Sequence, residues 1–342
     1  MEKKSLLVLI LVAVNSLALS AQPVPVTHSQ FQAVYADGTS SFDDSGPTRV
    51  VLEGIILNSP EQFLDPTADP TVAPWYMGGQ WQIFIQGEGE DHAGTALWMG
   101  QNYANGPGYE SYTNEQWREE ICRVNHDPCT GYVFHPGDRV KVTGGYLFYR
   151  GKLNINENHE IDPAFDFTVE LLEPAVGLPE PEVVELSDLK DASDNEIFDA
   201  TRATGCEYYQ ARLIRINEVQ ITNPQNFEPE NTITIADGTG RTLPVLLGIG
   251  EGLSRYDCPS GTIDVIGILD QEALGNPPDC TTGYRLLVLN YDGNGLVLTD
   301  RGHRRGNLPG DVNGDFQVDL QDFAAMTVNW LSCRDGLCGC FD

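Results

Sequence analysis

The feature that most constrains this chain is an internal repeat: a strand-rich pattern occurs twice, about 160 residues apart. The first copy has an apolar run over 50–57 and the second has one over 209–221, each followed by a turn that contains Asn and Pro. A second strand-like segment follows in each copy, over 81–87 and over 232–238. The repeat predicts two similar domains that together make up most of the chain.

Both copies consist of short segments in which apolar and polar residues alternate. Alternation with period two buries one face of a strand and exposes the other, and the Gly, Pro, Asn and Asp residues between the segments mark turns. Closing such a sheet into a small barrel removes its exposed edges. We therefore predict a mainly β protein with two tandem small β-barrels, although a pair of β-sandwiches fits the same pattern.

The fourth strand-like segment of each copy is bounded by glycine, over 137–144 in the first copy and over 261–267 in the second. Five strands with a glycine-bounded fourth strand resemble the OB-fold. The resemblance implies OB-like barrels over 46–172 and over 203–299. Residues 173–202 between them begin with a Pro- and Glu-rich stretch, which predicts a linker or a short connecting helix.

The first copy contains two long insertions, over 64–79 and over 100–138. The second insertion includes residues 114–121, whose sequence Asn-Glu-Gln-Trp-Arg-Glu-Glu-Ile predicts a helix. An OB-fold has its helix at this place in the chain, between the third and fourth strands. The helix therefore agrees with the resemblance.

The chain is strongly acidic, with a formal net charge of −30. Proteins that bind nucleic acid draw most of their affinity from Lys and Arg on phosphates, and anionic membranes attract the same side chains. Nucleic acid is therefore not a predicted partner, whereas divalent cations are favoured. The acidic surface also serves to keep an exported protein soluble.

The N-terminal residues have the pattern of a secretory signal. Lys3 and Lys4 precede an apolar run over 6–14, and Ala18-Leu19-Ser20 supplies small residues for cleavage after residue 20. The run is shorter than the roughly 20 apolar residues that a membrane span needs. We expect residues 1–20 to be a signal peptide, with the rest of the chain secreted or at the cell surface and no membrane span.

The sequence has eight cysteines, at positions 122, 129, 206, 258, 280, 333, 338 and 340. Disulfide bonds are the default for an exported chain. Cys122 and Cys129 are close enough to close one loop, and Cys258 and Cys280 bracket one region. The connectivity stays open, because spacing alone does not determine it.

Oxygen-bearing residues follow EF-hand spacing near the C-terminus. Five of them occupy loop positions 1, 3, 5, 9 and 12: Asp311, Asn313, Asp315, Asp319 and Asp322. Gln317 at position 7 offers its backbone carbonyl, and this arrangement wraps a hard cation such as Ca²⁺. The apolar residues from Leu320 to Leu331 fall on one helical stripe. The sequence therefore predicts a calcium loop followed by a helix.

A calcium loop and a following helix, with no preceding helix, resemble half of a type I dockerin, and Asp322 in the last position fits that family. The resemblance implies that residues 307–342 dock onto a cohesin-like or cell-surface protein in a polysaccharide-degrading assembly. Position 6 departs from the pattern, since Phe316 replaces glycine; a left-handed backbone there costs about 1–2 kcal/mol. The tail also has one loop, where a dockerin that binds a cohesin has two.

Two further motifs suggest catalysis. Glu88, Glu90 and Asp91 lie in one loop and have the chemistry of the paired carboxylates in glycoside hydrolases. Asp237-Gly238-Thr239-Gly240 contains the residues of an aspartic protease motif in a different order, and Asp-Gly is also typical of a hairpin turn. The first copy is rich in aromatic residues, which fit a core or a lid and, as an alternative, a platform for stacking on carbohydrate: Trp75, Tyr76, Trp81, Trp98, Tyr103, Tyr109 and Tyr112.

The sequence as a whole favours a non-catalytic exported protein that binds or scaffolds, with a calcium-binding tail. The alternative is a secreted hydrolase, acting on polysaccharide or nucleic acid, that has the same tail. The two hypotheses differ in whether the protein turns over polysaccharide or DNA and loses that turnover when Glu88 or Asp91 is changed.

Overall fold

The computed structural model describes residues 22–43, 46–59, 68–69, 76–77, 81–99, 114–156, 163, 165–291, 293 and 295–297. This part of the chain is mainly β, as the sequence predicts. The strands are β1 (Val24–Pro25), β2 (Val50–Ile56), β3 (Ala68–Asp69), β4 (Tyr76–Met77), β5 (Trp81–Gln86), β6 (Gly94–Met99), β7 (Arg139–Gly144), β8 (Tyr146–Tyr149), β9 (Lys152–Asn156), β10 (Thr168–Glu173), β11 (Glu182–Val184), β12 (Leu213–Ile221), β13 (Thr232–Ala236), β14 (Thr242–Leu247), β15 (Ile263–Gln271), β16 (Tyr284–Val288), β17 (Asn290–Tyr291) and β18 (Leu296–Val297). The helices are α1 (His28–Phe31), α2 (Asn114–Val124), α3 (Leu186–Leu189) and α4 (Gly205–Tyr209), and a 3-10 turn spans Pro224–Asn226.

The second copy closes into a five-stranded barrel. Strand β12 pairs with β13, β13 with β14, β14 with β16 and β16 with β15, and β15 returns to β12. All these pairs are antiparallel except β14 and β16, which are parallel. Alternate residues such as Ile233, Ile235 and Val265 point into one fully buried core. The period-two pattern in the sequence is the direct cause, because every second side chain must leave water.

The first copy has the same strand order, but its fourth strand is broken. Strands β2, β5, β6 and β9 pair in sequence, β7 pairs with β2, and β8 pairs with β9. Only Gly145 separates β7 from β8, and its carbonyl oxygen accepts a hydrogen bond from the Asn156 amide at 3.2 Å. In the second barrel β15 performs both pairings as one continuous strand. Strands β7 and β8 together are therefore the counterpart of β15.

Each barrel begins with a short strand and a one-turn helix. Strand β1 lies parallel to β2, and β11 lies parallel to β12. Helix α1 starts with a capping box, in which Thr27 Oγ1 accepts from the Gln30 amide and Gln30 Oε1 accepts from the Thr27 amide, both at 3.1 Å. In α3 the Glu185 amide donates to Asp188 Oδ2 at 2.9 Å. In each copy, this strand and helix come before the residues over which the repeat is recognisable in the sequence.

The second strand–helix unit lies inside the stretch 173–202 that the sequence assigns to a linker. Its apolar side chains are buried in the second core: Val184, Leu186 and Leu189. Phe31 of α1 is equally buried in the first core. Residues 182–189 therefore belong to the packed body of the second barrel, because the barrel's core needs their side chains to fill it.

The structure corrects the alignment of the two copies by one residue in the second strand. The sequence comparison matched Trp81 with Thr232, yet Trp81 is fully buried in the first core and Thr232 is exposed. The equivalent core positions are Ile83 and Ile233, both buried. A one-residue slip moves every side chain of a strand to the other face, so sequence similarity alone gave the wrong register.

The two barrels pack against each other through an apolar cluster. Its members come from both copies: Leu57, Phe84, Ala96, Ala211, Leu213, Ile268, Leu287 and Leu289. The Leu213 amide also donates to Gln86 Oε1 across the boundary at 2.9 Å. This contact covers the outer face of β5 and β6, so both faces of these strands are buried.

Candidate functional site

The residues predicted to bind calcium lie outside the described part of the chain: Asp311, Asn313, Asp315, Gln317, Asp319 and Asp322. The predicted signal peptide over 1–20 lies outside it as well. Among the residues that the structure does describe, no three His, Cys, Asp or Glu side chains are grouped so as to hold a metal ion. The calcium site therefore remains a prediction from spacing.

Asp91, one of the three candidate catalytic acids, caps helix α1. Its carboxylate accepts hydrogen bonds from the His28 amide at 2.7 Å and from the amide and hydroxyl of Ser29, both at 2.8 Å. An acidic side chain at the first amides of a helix satisfies donors that have no partner within the helix. Asp91 thus joins the loop between β5 and β6 to the N-terminal helix.

Glu88, the second candidate acid, is paired with an arginine. Arg139 donates from Nε at 2.6 Å and from Nη2 at 2.8 Å to the two carboxylate oxygens of Glu88. Hydrogen bonds from Arg139 lower the pKa of the Glu88 carboxyl. A general acid in glycoside hydrolysis needs the opposite shift, since it must keep its proton near neutral pH. Glu88 is therefore in the wrong environment for that role.

His28 lies beside this loop and is completely buried. Its Nδ1 lies 2.8 Å from Thr95 Oγ1, and its Nε2 lies 3.0 Å from the carbonyl oxygen of Glu53. The carbonyl oxygen accepts only, so the ring proton is on Nε2 and Nδ1 accepts from the Thr95 hydroxyl. Burial lowers the pKa of the His28 imidazole. His28 therefore connects three segments as a neutral side chain.

The motif at Asp237 is a hairpin turn between β13 and β14. The amide and hydroxyl of Thr239 donate to Asp237 Oδ1 at 2.8 and 2.7 Å, and the Arg241 amide donates to the same oxygen at 3.1 Å. Asp side chains commonly stabilise turns by bonding backbone amides two residues on. The resemblance to an aspartic protease is therefore explained by turn chemistry.

Sequence reasoning missed a buried charge cluster between the barrels. Lys152 of β9 bonds Asp270 of β15 through Nζ and Oδ1, and both side chains are at most 9% exposed. Arg285 Nη2 lies 3.1 Å from the other oxygen of Asp270. Burial opposes ionisation of Asp270, but attraction to Lys152 and Arg285 outweighs it and lowers the pKa of the carboxyl. Alternation gave no signal for this cluster, because Lys152 and Asp270 stand next to the inward-facing Leu153 and Leu269, where a polar residue is expected.

A second buried ion pair lies nearby. Arg202 Nη1 donates to Glu207 Oε2 at 2.6 Å and to the carbonyl oxygen of Gln32 at 3.2 Å. The Tyr284 hydroxyl donates to Glu207 Oε1 at 2.5 Å. Gln32 belongs to the first copy and the other three residues to the second, so this network also links the barrels.

Four cysteines are free thiols in the structure: Cys129, Cys206, Cys258 and Cys280. The suggested Cys122–Cys129 and Cys258–Cys280 bridges are therefore not formed. Cys206 instead lies in the second core, where its Sγ donates to the Leu189 carbonyl oxygen at 3.3 Å. Burial raises the pKa of the Cys206 thiol, which makes it unreactive.

The two barrels differ in the outer face of their second and third strands. In the first barrel, Phe84 and Ala96 pair on this face and are buried by the second barrel. The equivalent pair in the second barrel is Thr234 and Pro244, and Pro244 is exposed. The outer face of β13 and β14 is thus exposed at Thr232 and Pro244, whereas Leu246 on the same face packs against the cluster between the barrels.

A scan of protein-family models and a search of curated proteins gave no match to this chain. None of the helices that the structure describes is long and apolar enough to cross a membrane. We therefore infer the function from the chemistry of the residues themselves.

Proposed function

We propose that this chain is an exported, non-catalytic binding or scaffold protein, made of two OB-like barrels and a calcium-binding, dockerin-like tail. The strand order supports the OB-like part. Numbered within each copy, the strands follow the closed order one, two, three, five, four, and helix α2 lies between the third and fourth strands of the first copy. An OB-fold is a five-stranded barrel of this kind.

The observation that carries the non-catalytic assignment is the structural use of three of the four candidate acids, all except Glu90. Asp91 caps α1, Glu88 is paired with Arg139, and Asp237 forms a turn. A glycoside hydrolase needs one carboxyl group that keeps its proton and a second that is free to attack or to activate water. Each of these three carboxylates is held by hydrogen bonds from its neighbours, so none is free to attack or to activate water, which supports a binding role over hydrolysis.

The ligand of the barrels is, in this proposal, a neutral carbohydrate held on the outer face of β13 and β14. OB-folds bind oligosaccharides and oligonucleotides on the face of their second and third strands. The second barrel leaves this face open, with Thr232 and Pro244 exposed on it. The net charge of −30 disfavours a polyanion, which leaves an uncharged polysaccharide as the better fit.

The tail supplies the attachment in this proposal. Asp311, Asp315, Asp319 and Asp322 are the acids of a loop that binds one Ca²⁺ and orders the helix after it. The ordered tail docks onto a cohesin-like or cell-surface protein. Metal binding and folding are coupled in such small sites, so docking is expected to require calcium.

The test compares the mature protein with a variant that lacks residues 307–342. Both are incubated with cells or cell-wall fractions with and without calcium, and both are assayed for turnover and retention on insoluble polysaccharides. We expect calcium-dependent surface association that the shortened variant loses, polysaccharide retention in both proteins, and no turnover. Association that is unchanged by the deletion contradicts the docking role. Turnover that Glu88→Gln abolishes contradicts the non-catalytic role.

A further inference from the structure

Tyr256 is the most exposed large apolar side chain in the part of the protein that the structure describes. It lies in the loop between β14 and β15, and its exposed fraction is 82%. The loop is anchored on both sides of it, since Leu253 is buried in the second core and Cys258 packs against the same core. The Asp257 amide donates to the Ser254 carbonyl oxygen at 2.9 Å, which closes a turn around Tyr256. The fold therefore presents this ring to solvent at the tip of an anchored turn.

Arg255 orients the Tyr256 ring. Its guanidinium carbon lies 5.0 Å from the ring centre, and its Nη2 donates to the Tyr256 hydroxyl at 3.2 Å. Its Nε lies 3.2 Å from Oε1 of Glu228, a residue of the loop between β12 and β13. A ring that is already oriented in this way loses less side-chain freedom when a ligand binds. One face of the ring contacts Arg255, and the high exposure of the side chain means that the other face is open.

The turn at Tyr256 belongs to the end of the barrel at which Thr232 is exposed. Thr232 pairs with Leu246 near the end of β14. The Leu247 amide donates to the Asn231 carbonyl oxygen at 3.0 Å. The loop that contains Tyr256 therefore leaves β14 beside the start of β13. Tyr256 is thus placed to extend the proposed ligand face beyond the ends of its two strands.

We propose that Tyr256 stacks on a sugar ring of a neutral polysaccharide, and that Glu228 and Arg255 bind the hydroxyl groups at the edge of that ring. The C–H groups of a sugar give it an apolar face that packs on an aromatic ring, and its hydroxyls fit carboxylate oxygens and guanidinium N–H groups. A nucleobase also stacks on tyrosine, but a chain with a net charge of −30 repels the phosphates attached to it. This inference rests on the proposed polysaccharide ligand and names the residues that recognise it.

The test measures retention of the full mature chain on three insoluble neutral polysaccharides: cellulose, mannan and β-1,3-glucan. Tyr256→Ala should bind about tenfold more weakly, as expected when an aromatic ring that stacks on its ligand is truncated. Tyr256→Phe keeps the ring and should bind nearly as well as the unaltered chain. Tyr35→Ala is the matched control, because Tyr35 is an exposed tyrosine that precedes β2 of the first barrel. Urea unfolding should be the same for Tyr256→Ala and the unaltered chain, since the Tyr256 ring is not part of a core.

Failure of the stacking role and failure of the proposed ligand give different results. Equal retention of Tyr256→Ala and the unaltered chain overturns the stacking role and leaves polysaccharide binding by the protein in place. No retention of the unaltered chain on any of the three polysaccharides overturns the proposed ligand together with the stacking role. Binding of single-stranded DNA that Tyr256→Ala loses, without retention on polysaccharide, overturns the sugar and assigns the ring to a nucleobase.

Discussion

The carbonyl oxygen of Ala211 lies 2.1 Å from the position that a Cβ atom on Gly94 would occupy. Gly94 begins the third strand of the first barrel, and Ala211 precedes the first strand of the second. The backbones of the two barrels therefore touch at a point where only hydrogen fits. This contact indicates that the two barrels form a specific interface and are not independently oriented domains.

Gly94→Ala should therefore weaken the contact between the two barrels. The added methyl group must push the two backbones apart, and overpacking of this kind costs about 1–3 kcal/mol. The measurement is urea unfolding, together with exchange of the Leu213 amide. Gly238→Ala is the matched control, since a Cβ there meets nothing within 4 Å. Equal stability of the two variants would show that the contact is not tight in solution.

Lys152 and Asp270 should behave as a coupled buried pair. Lys152→Met leaves a buried carboxylate with fewer partners, and breaking such a pair costs about 3–5 kcal/mol. The double variant Lys152→Met/Asp270→Asn should recover part of this loss, which a double-mutant cycle measures. If the losses of stability in the two single variants simply add in the double variant, the two side chains are not directly coupled.

The Lys152–Asp270 pair should also make the stability of the protein depend on pH. The folded-state pKa of the Asp270 carboxyl is lowered, so its stabilisation is present at neutral pH and is lost as the pH falls through that pKa. We expect Asp270→Asn to be less stable than the unaltered protein at neutral pH, with the difference shrinking in acid. A difference that stays constant down to about pH 2 would contradict this assignment.

Asp91→Asn should lower stability and leave any activity unchanged. The substitution removes the charge from the cap of α1 and weakens its bonds to the His28 and Ser29 amides, a loss of about 1 kcal/mol. Thermal unfolding measures the effect. Glu90→Gln in the same loop is the control, because Glu90 does not take part in the cap. A polysaccharide-degrading activity lost in Asp91→Asn would support the hydrolase alternative instead.

Phe316→Gly should strengthen calcium binding. Position 6 of the loop calls for a sharp turn, and removal of the side chain relieves about 1–2 kcal/mol if the backbone is left-handed there. That is roughly a five- to thirtyfold lower dissociation constant. Isothermal titration of the full mature chain measures it, and weaker binding in the variant would contradict the assigned loop position.

The sequence allowed the β class, two copies and helix α2 to be predicted, because these follow from local periodicity. It did not reveal how the copies pack. The strand that contains Trp81 was misaligned by one residue. Which residues of a strand are buried depends on which of its faces points into the core, and sequence similarity does not show which face that is. Lys152 and Asp270 went unnoticed because their burial arises only when two distant strands meet. Spacing did not show that Cys129, Cys258 and Cys280 are free thiols in the structure, since it does not record which side chains the fold brings together.

Calorimetric titration of the mature chain with calcium, beside Asp311→Ala and Asp322→Ala, tests the central claim most directly. The account predicts binding of one Ca²⁺ per chain, lost in both variants, with the unfolding of the barrels unchanged. No binding by the unaltered chain, or equal binding by all three proteins, would contradict a calcium-binding tail.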